Sequence, residues 1–208
     1  VEETVEVSSA LPKPVLYLVG GPMRTGKSQI AARFNARSGV SYISTDDICY
    51  MLGLGAPGLG IGWDAGNTWQ QNRRLAAPFL EHLARIRIDE GRALLIEGEV
   101  DTEMTGRLLE EHAGAVRACF VGTASLALAD KIAAIKAWSD AHDDWLSGKP
   151  DEEVAWAARE CLAASSEYEA AAKALEVPYF DLSDDWGAGV GAVVRYLVSG
   201  ASRTPSSH

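Results

Sequence analysis

Gly21-Pro22-Met23-Arg24-Thr25-Gly26-Lys27-Ser28 matches the pattern G-x-x-x-x-G-K-[ST] at every fixed position. The apolar run Val15-Leu16-Tyr17-Leu18-Val19 precedes it, and a helical spacing opens at Gly26 and runs to Arg37. The stretch therefore predicts a strand, a loop and a helix in the order that a phosphate-binding loop needs. In 208 residues with 20 Gly, a chance match is expected roughly 0.006 times even before that context is required, so coincidence is a poor account of it.

Glycine lets the backbone turn inward until successive N–H groups converge on one centre, and the helix N-terminus adds the positive end of its dipole there. Phosphate oxygens suit that centre. Gly21, Pro22, Met23, Arg24, Thr25, Gly26, Lys27, Ser28 and Gln29 are the candidate nucleotide-binding residues. Lys27 is expected to reach the β- and γ-phosphates as a mobile charge, and the Ser28 hydroxyl to be a ligand of Mg²⁺. The competing account is a glycine-rich turn with a surface lysine.

Outward from the loop, short apolar runs at 40–44, 93–97, 116–121 and 178–182 join the run at 15–20. Runs without polar alternation suit strands buried on both faces of a parallel sheet. The spacing between them is helical. Trp69, Ala76, Phe79, Leu80 and Leu83 trace one face of a region expected to bend or restart at Pro78, and Leu128, Ile132, Ile135 and Trp138 trace another. Val154, Ala158, Cys161, Ser165, Tyr168, Ala172 and Leu175 mark a long helix starting at Pro150-Asp151, and Val190, Val193, Val194 and Leu197 a last one. Alternating strand and helix predict a layered α/β fold. Residues 1–13 and 200–208 read as polar, mobile tails around one domain at 14–199 that has no linker or internal repeat.

Composition narrows the partners. Lys+Arg number 19 against 29 Asp+Glu, a net charge of −10, so the chain lacks the basic footprint of a broad nucleic-acid binder or of a protein held on anionic lipid. No apolar run approaches the length of a membrane span, and residues 1–13 are acidic where a secretory signal is basic and then apolar. Cys49, Cys119 and Cys161 are odd in number and far apart, without metal-ligand spacing, and read as reduced thiols of a cytoplasmic protein.

Acids at strand ends supply the chemistry. Ser44-Thr45-Asp46-Asp47 closes the second run, at the edge where open α/β sheets bind ligands. Asp46 is the candidate base for the proton of an acceptor hydroxyl; the alternative for Asp46, and more so for Asp47, is capping of the helix at 48–52. Glu97 ends the third run and is the candidate for holding Mg²⁺, directly or through water, with Gly98 behind it allowing close approach of a ligand; the alternative is a solvated strand end. Glu99, one step further out, is the weaker choice.

The segment 53–91 is long enough to shape a second substrate site. Arg73 and Arg74, after Trp63 and Trp69, are candidates for contact with an anionic acceptor that has an apolar or ring-bearing portion, against the alternative of a solvated basic helix face. Gly53-Leu54-Gly55-Ala56-Pro57-Gly58 also fits G-x-G-x-x-G, but no strand precedes it and Pro57 removes a backbone N–H. With five glycines in the ten residues 53–62, it reads instead as a mobile loop, either a cover for the substrate or a connector.

Gly21 to Ser28, Ser44-Thr45-Asp46-Asp47, Ile96-Glu97-Gly98, Phe120-Val121-Gly122, Asp144-Trp145, Val177 to Asp181 and Ser183-Asp184-Asp185 together resemble the small P-loop kinases, the group that includes 2-phosphoglycerate kinase, zeta-toxin-like and chloramphenicol-phosphotransferase-like enzymes. The resemblance spans residues 15–198. It implies a three-layer P-loop NTPase fold with a five-stranded parallel sheet, ATP with Mg²⁺, a base at Asp46 and a lid at about 122–159. Lids of the family supply arginines, whereas 122–158 holds Lys131, Lys136 and Lys149 and the first arginine is Arg159; Lys131 and Arg159 are the candidate lid residues. No N-K-x-D run favours GTP. The implied activity is transfer of the γ-phosphate of ATP to a hydroxyl or phosphate of a small, anionic acceptor, in a chain whose oligomeric state stays open. The alternative is a nucleotide-dependent ATPase or switch without such an acceptor.

Overall fold

A computed structural model describes residues 14–199; the two tails read from the sequence, 1–13 and 200–208, lie outside the described residues. Five strands, β1 (Leu16–Gly20), β2 (Ser41–Ser44), β3 (Leu94–Gly98), β4 (Val116–Gly122) and β5 (Tyr179–Asp181), form one sheet in the order β2-β3-β1-β4-β5, with every pair parallel. All five fall on the apolar runs. Seven α-helices accompany them: α1 (Lys27–Ser38), α2 (Thr45–Gly55), α3 (Trp69–Asp89), α4 (Thr102–Glu111), α5 (Leu128–His142), α6 (Asp151–Ala174) and α7 (Trp186–Val198).

Strand alternation sorts the core into two halves. Leu16 and Leu18 of β1, with Leu94, Ile96, Val116 and Ala118, turn to one face and meet Leu80 and Ala84 of α3 and Met104 and Leu108 of α4. Val19, Leu95, Cys119 and Val121 turn to the other and meet Ile30, Ala31 and Phe34 of α1 and Val190, Val193 and Val194 of α7. Helices on both faces explain why the strands read as continuous apolar runs. Tyr168 of α6 packs on Phe120 of β4, while α5 and α6 share a smaller cluster of Ile135, Leu146, Val154, Ala157 and Ala158.

Three expectations of the sequence are corrected. Pro78 does not bend or restart its helix: α3 runs through it, opened by a capping box in which Thr68 and Gln71 each bond the other's backbone N–H. Pro78 and Arg74 are both exposed, so the carbonyl that loses its partner at i−4 lies on the wet side. Phe79, Leu128 and Trp138 do not belong to buried faces, being 42%, 37% and 38% exposed. The segment 53–62 is not one loop, because Gly53, Leu54 and Gly55 are the last residues of α2 and Pro57–Leu59 is a 3₁₀ turn. Among the described residues no helix is long and apolar enough to cross a membrane.

Candidate active site at the carboxyl edge of the sheet

β1 ends at Gly20, and the loop that follows needs its glycines for different reasons. A Cβ on Gly21 would lie 2.3 Å from the Val121 carbonyl oxygen, so the chain there can pass β4 only without one. Gly26 stands at φ +86°, and a Cβ on it would meet the Trp186 indole at 2.7 Å. Lys27 opens α1, is 8% exposed, and donates from Nζ to the Pro22 carbonyl at 2.6 Å, so its ammonium is folded over the loop rather than out in solvent. That disposes of the surface-lysine account.

Parallel pairing brings the acids to this loop. Val19 of β1 pairs with Glu97 of β3, and Glu97 pairs in turn with Ser44 of β2. Glu97 is 2% exposed, and its Oε1 accepts from the Ser28 hydroxyl at 2.9 Å. Burial raises its carboxyl above the usual range, while the Lys27 charge and the Ser28 hydrogen bond pull it back. It is not a solvated strand end. Ser28 and Glu97 are thus a joined pair of hard oxygen donors, the donor type that Mg²⁺ takes. Among the described residues no group of three or more His, Cys, Asp and Glu could hold a metal by itself.

The α2 start departs from expectation. Ser44 is the cap, its hydroxyl accepting from the Asp46 N–H at 3.2 Å, so neither Asp46 nor Asp47 caps the helix. Asp46 is left free for other work at the mouth of a pocket. The surrounding protein raises its carboxyl above the ordinary value, with Lys27 opposing and Asp47 adding to the rise. Gly98 also has a different task from the one read in the sequence. At φ +136°, a Cβ on it would stand 2.0 Å from Thr45 Oγ1. The residue it admits is Thr45, not a ligand, and Thr45 Oγ1 in turn accepts from the Glu99 N–H at 3.0 Å.

Sequence reasoning missed Asn72. Thr45, Asp46, Glu99, Trp69, Asn72 and Arg73 line a narrow pocket on the outer side of β3, with Cys49, Ala76 and Leu80 completing its wall. Glu99 is pushed up to about 7, by burial first and also by the Asp46 charge; Lys27, Arg73 and a hydrogen bond from the Met23 backbone work against the rise. Cys49 is pushed up to about 11 by burial and the Asp46 and Glu99 charges, which keeps it a neutral thiol wall. All three cysteines are free and buried. Asn72 is 1% exposed; its Oδ1 accepts from Gly62 N–H and from Asn67 Nδ2, while its own Nδ2 has no hydrogen-bond partner. A polar side chain missing from a helix's apolar stripe was its only trace in the sequence.

The arginine pair divides. Arg73 lies inward, its guanidinium 5.0 Å from the Trp69 ring centroid and its Nε 3.9 Å from Asp101 Oδ2. Arg74 is exposed on the far side of α3 and takes no part in the pocket. One helical step of about 100° separates them. Trp69 is 6% exposed and donates from Nε1 to Glu160 at 3.3 Å, tying α3 to α6; the Trp63 side chain lies outside the described ones.

The lid candidates divide in the same way. Lys131 of α5 is 3% exposed and donates to the Arg24 carbonyl of the loop at 3.0 Å, whereas Arg159 is exposed on α6 and is not gathered into the site. Arg24 is itself the unexpected member. It holds φ +61°, a conformation that costs a residue with a Cβ about 1 kcal/mol. Its Nη1 is ion-paired to Asp144, and its guanidinium lies 5.8 Å from the Trp145 ring. Asp144 is fixed by Ser139 Oγ and the Leu146 N–H, and above all the hydrogen bond from Arg24 lowers its carboxyl to about 2. Cys161 adds a bond from Sγ to the Met23 carbonyl. The segment 131–161 therefore grips two consecutive loop residues.

No family model matches the chain, and no curated protein matches it. Among solved structures it is similar to a gluconokinase from Sinorhizobium meliloti 1021, at 13% identity and a TM-score of 0.54 over 90% of this chain and 92% of that one. It is also similar to a shikimate kinase from Bacteroides thetaiotaomicron, at 16% identity and a TM-score of 0.54 over 88% and 96%. Identity this low speaks for architecture alone, and on the sheet order, the loop after β1 and these likenesses the chain has the three-layer P-loop NTPase fold.

Proposed function

We propose that this protein is a phosphotransferase that moves the γ-phosphoryl group of ATP, in the presence of Mg²⁺, to a hydroxyl group of a small acceptor. The observation that carries the reading is the meeting of Lys27, the Ser28–Glu97 pair and the uncapped Asp46 at one edge of the sheet, beside a pocket separate from the phosphate loop. Both named structural neighbours are small-molecule kinases, which agrees with it.

Lys27 and the backbone N–H groups of residues 21–28 bind the phosphates. Ser28 and Glu97 would hold the magnesium ion, which when bound neutralises charge on the phosphate oxygens. Asp46 orients the acceptor hydroxyl and takes its proton as the oxygen forms its bond to phosphorus; the bond from phosphorus to the β–γ bridging oxygen breaks, and ADP leaves. Lys131 holds the loop from the lid side and stands in for the arginines that this lid lacks. An ATPase or switch needs no second pocket facing its base, so the pocket favours transfer.

The test is ADP release from MgATP with and without a panel of hydroxylated metabolites. Acceptor-dependent ADP release with a phosphorylated product supports the reading. Hydrolysis that no acceptor stimulates would overturn it in favour of an ATPase.

A further inference from the structure

The acceptor pocket has a charge pattern that the two-arginine reading of the sequence does not describe. Arg74 is outside it, and Arg73 brings its cation already faced by Asp101 at 3.9 Å and laid against the Trp69 ring. Two carboxyl groups remain in the lining, Asp46 and Glu99, together with a neutral thiol, Cys49. Lys27 opposes both acids, but it is committed to the phosphate side. An anionic acceptor would enter against Asp46 and, in its ionised form, Glu99, which is unfavourable. The net charge of −10 on the whole chain acts in the same direction.

A second, independent feature shows that the pocket expects a polar ligand. Asn72 is 1% exposed and lines it, and its Nδ2 donor has no hydrogen-bond partner; the Nε donor of Arg73, ion-paired to Asp101, has no hydrogen bond either. Buried donors without acceptors are costly in a folded protein, and a ligand oxygen is the group that satisfies them. The walls stand close, with interior room for about 10 Å³, roughly one water. Room of that size takes one ammonium or hydroxyl group, so the rest of the acceptor lies outside it.

We infer that the acceptor is an amine-bearing alcohol, whose ammonium group pairs with Glu99 while its reacting hydroxyl faces Asp46 and accepts from Asn72 Nδ2. This rests on the phosphotransfer reading and adds the substrate class. Glu99 is then a specificity residue: it selects the cation and takes no proton in the transfer. Its backbone supports that task, because the Glu99 N–H is held by Thr45 Oγ1, which ties the carboxylate's starting point to the residue next to Asp46.

The test uses the full chain labelled with ¹⁵N and three two-carbon probes that differ in charge: ethanolamine, ethylene glycol and glycolate. Shifts of the Trp69 indole N–H and the Asn72 side-chain amide report occupation of the pocket without any need for turnover. Ethanolamine should bind at least roughly 10-fold more tightly than the other two, and Glu99→Gln, which keeps the shape and removes the charge, should erase that preference. Equal or tighter binding of glycolate or ethylene glycol, or no response to ethanolamine, would sink the inference on the unaltered protein, whether or not the variant folds. So would an unchanged preference in a folded Glu99→Gln protein. An acceptor panel that yields phosphorylated neutral or anionic alcohols but no amine would refute the substrate class and leave the transferase reading standing; a panel that yields none removes the transferase reading itself.

Discussion

The loop after β1 and the pocket lined by α2 and α3 are built in opposite ways. The loop is eight consecutive residues, so its shape follows from local chain geometry and from what Gly21 and Gly26 permit. The pocket is assembled from side chains of α2, α3 and the residue after β3, segments that lie far apart in the chain. Sequence-contiguous sites tolerate change in side chains that point away; assembled sites depend on each helix being rotated correctly. The lid belongs with the loop in this respect, because its grip is on Arg24 through a carbonyl and an ion pair.

The largest expected effect lies on the loop side. Lys27→Ala removes the one buried cation of the cradle and leaves its N–H groups in place. Calorimetry with MgATP should show affinity falling roughly 10- to 100-fold, the scale of losing a hydrogen bond to a charged group. Wild-type affinity would mean that phosphate is not bound here. Asp46→Asn is the matching experiment on the pocket side. It should leave MgATP binding nearly intact and lower kcat at least roughly 100-fold, since a positioned base contributes about that much. If kcat survives, Asp46 is not the base and Glu97 becomes the next candidate.

Legibility followed the same division. The five strands and the loop were readable because apolar runs and a fixed motif are short-range signals, and the parallel pairing then placed Glu97 beside Ser28. Capping at α2 was not readable, since Ser44, Thr45, Asp46 and Asp47 are all residues that cap, and only the backbone turn at Ser44 selects one. The role of Gly98 was hidden because its reason, Thr45, lies 53 positions earlier in the chain. Arg24 was read as part of a cradle; nothing local announces that residue 144 will take its guanidinium.

Gly98→Ala tests whether the two regions are mechanically joined. The added carbon would collide with Thr45 and demand a strained φ, so a loss of about 2 kcal/mol is expected, with Tm down by roughly 4–8 °C for a chain of this size. Because Thr45 carries both Asp46 and the Glu99 N–H, turnover should fall more than MgATP affinity does. Equal losses would show that the loop feels the same displacement.

The lid contact gives a pH-dependent prediction of smaller size. The Asp144 carboxyl is lowered in the folded protein to about 2, from an unfolded value near 3.8. A depressed carboxyl contributes stability that is present above its unfolded value and lost as pH falls through the folded one. The grip of 131–161 on the loop should therefore hold above about pH 4 and weaken between about pH 4 and pH 2. Hydrogen exchange of the amides around 139–146 reads this opening directly, and Asp144→Asn should remove its pH dependence. Protection that is flat in both proteins would assign the attachment to Lys131 and Cys161 instead.

The smallest effects come from a pair of neighbours and sharpen the contrast most finely. Arg73 and Arg74 carry the same charge one residue apart, so any general electrostatic contribution to acceptor binding should be felt by both. Arg73 is packed between Trp69 and Tyr168 and faces Asp101, so Arg73→Ala takes away stacking as well as charge and leaves Asp101 without its partner. Arg74 is exposed, and Arg74→Ala should change stability by no more than about 0.5 kcal/mol. The KM for the acceptor should rise several-fold in Arg73→Ala, with the KM for ATP unchanged, and should stay at the wild-type value in Arg74→Ala. A matched rise in both variants would mean that the acceptor senses diffuse positive charge on α3, and the pocket would then have to be redrawn to include the outer face of that helix.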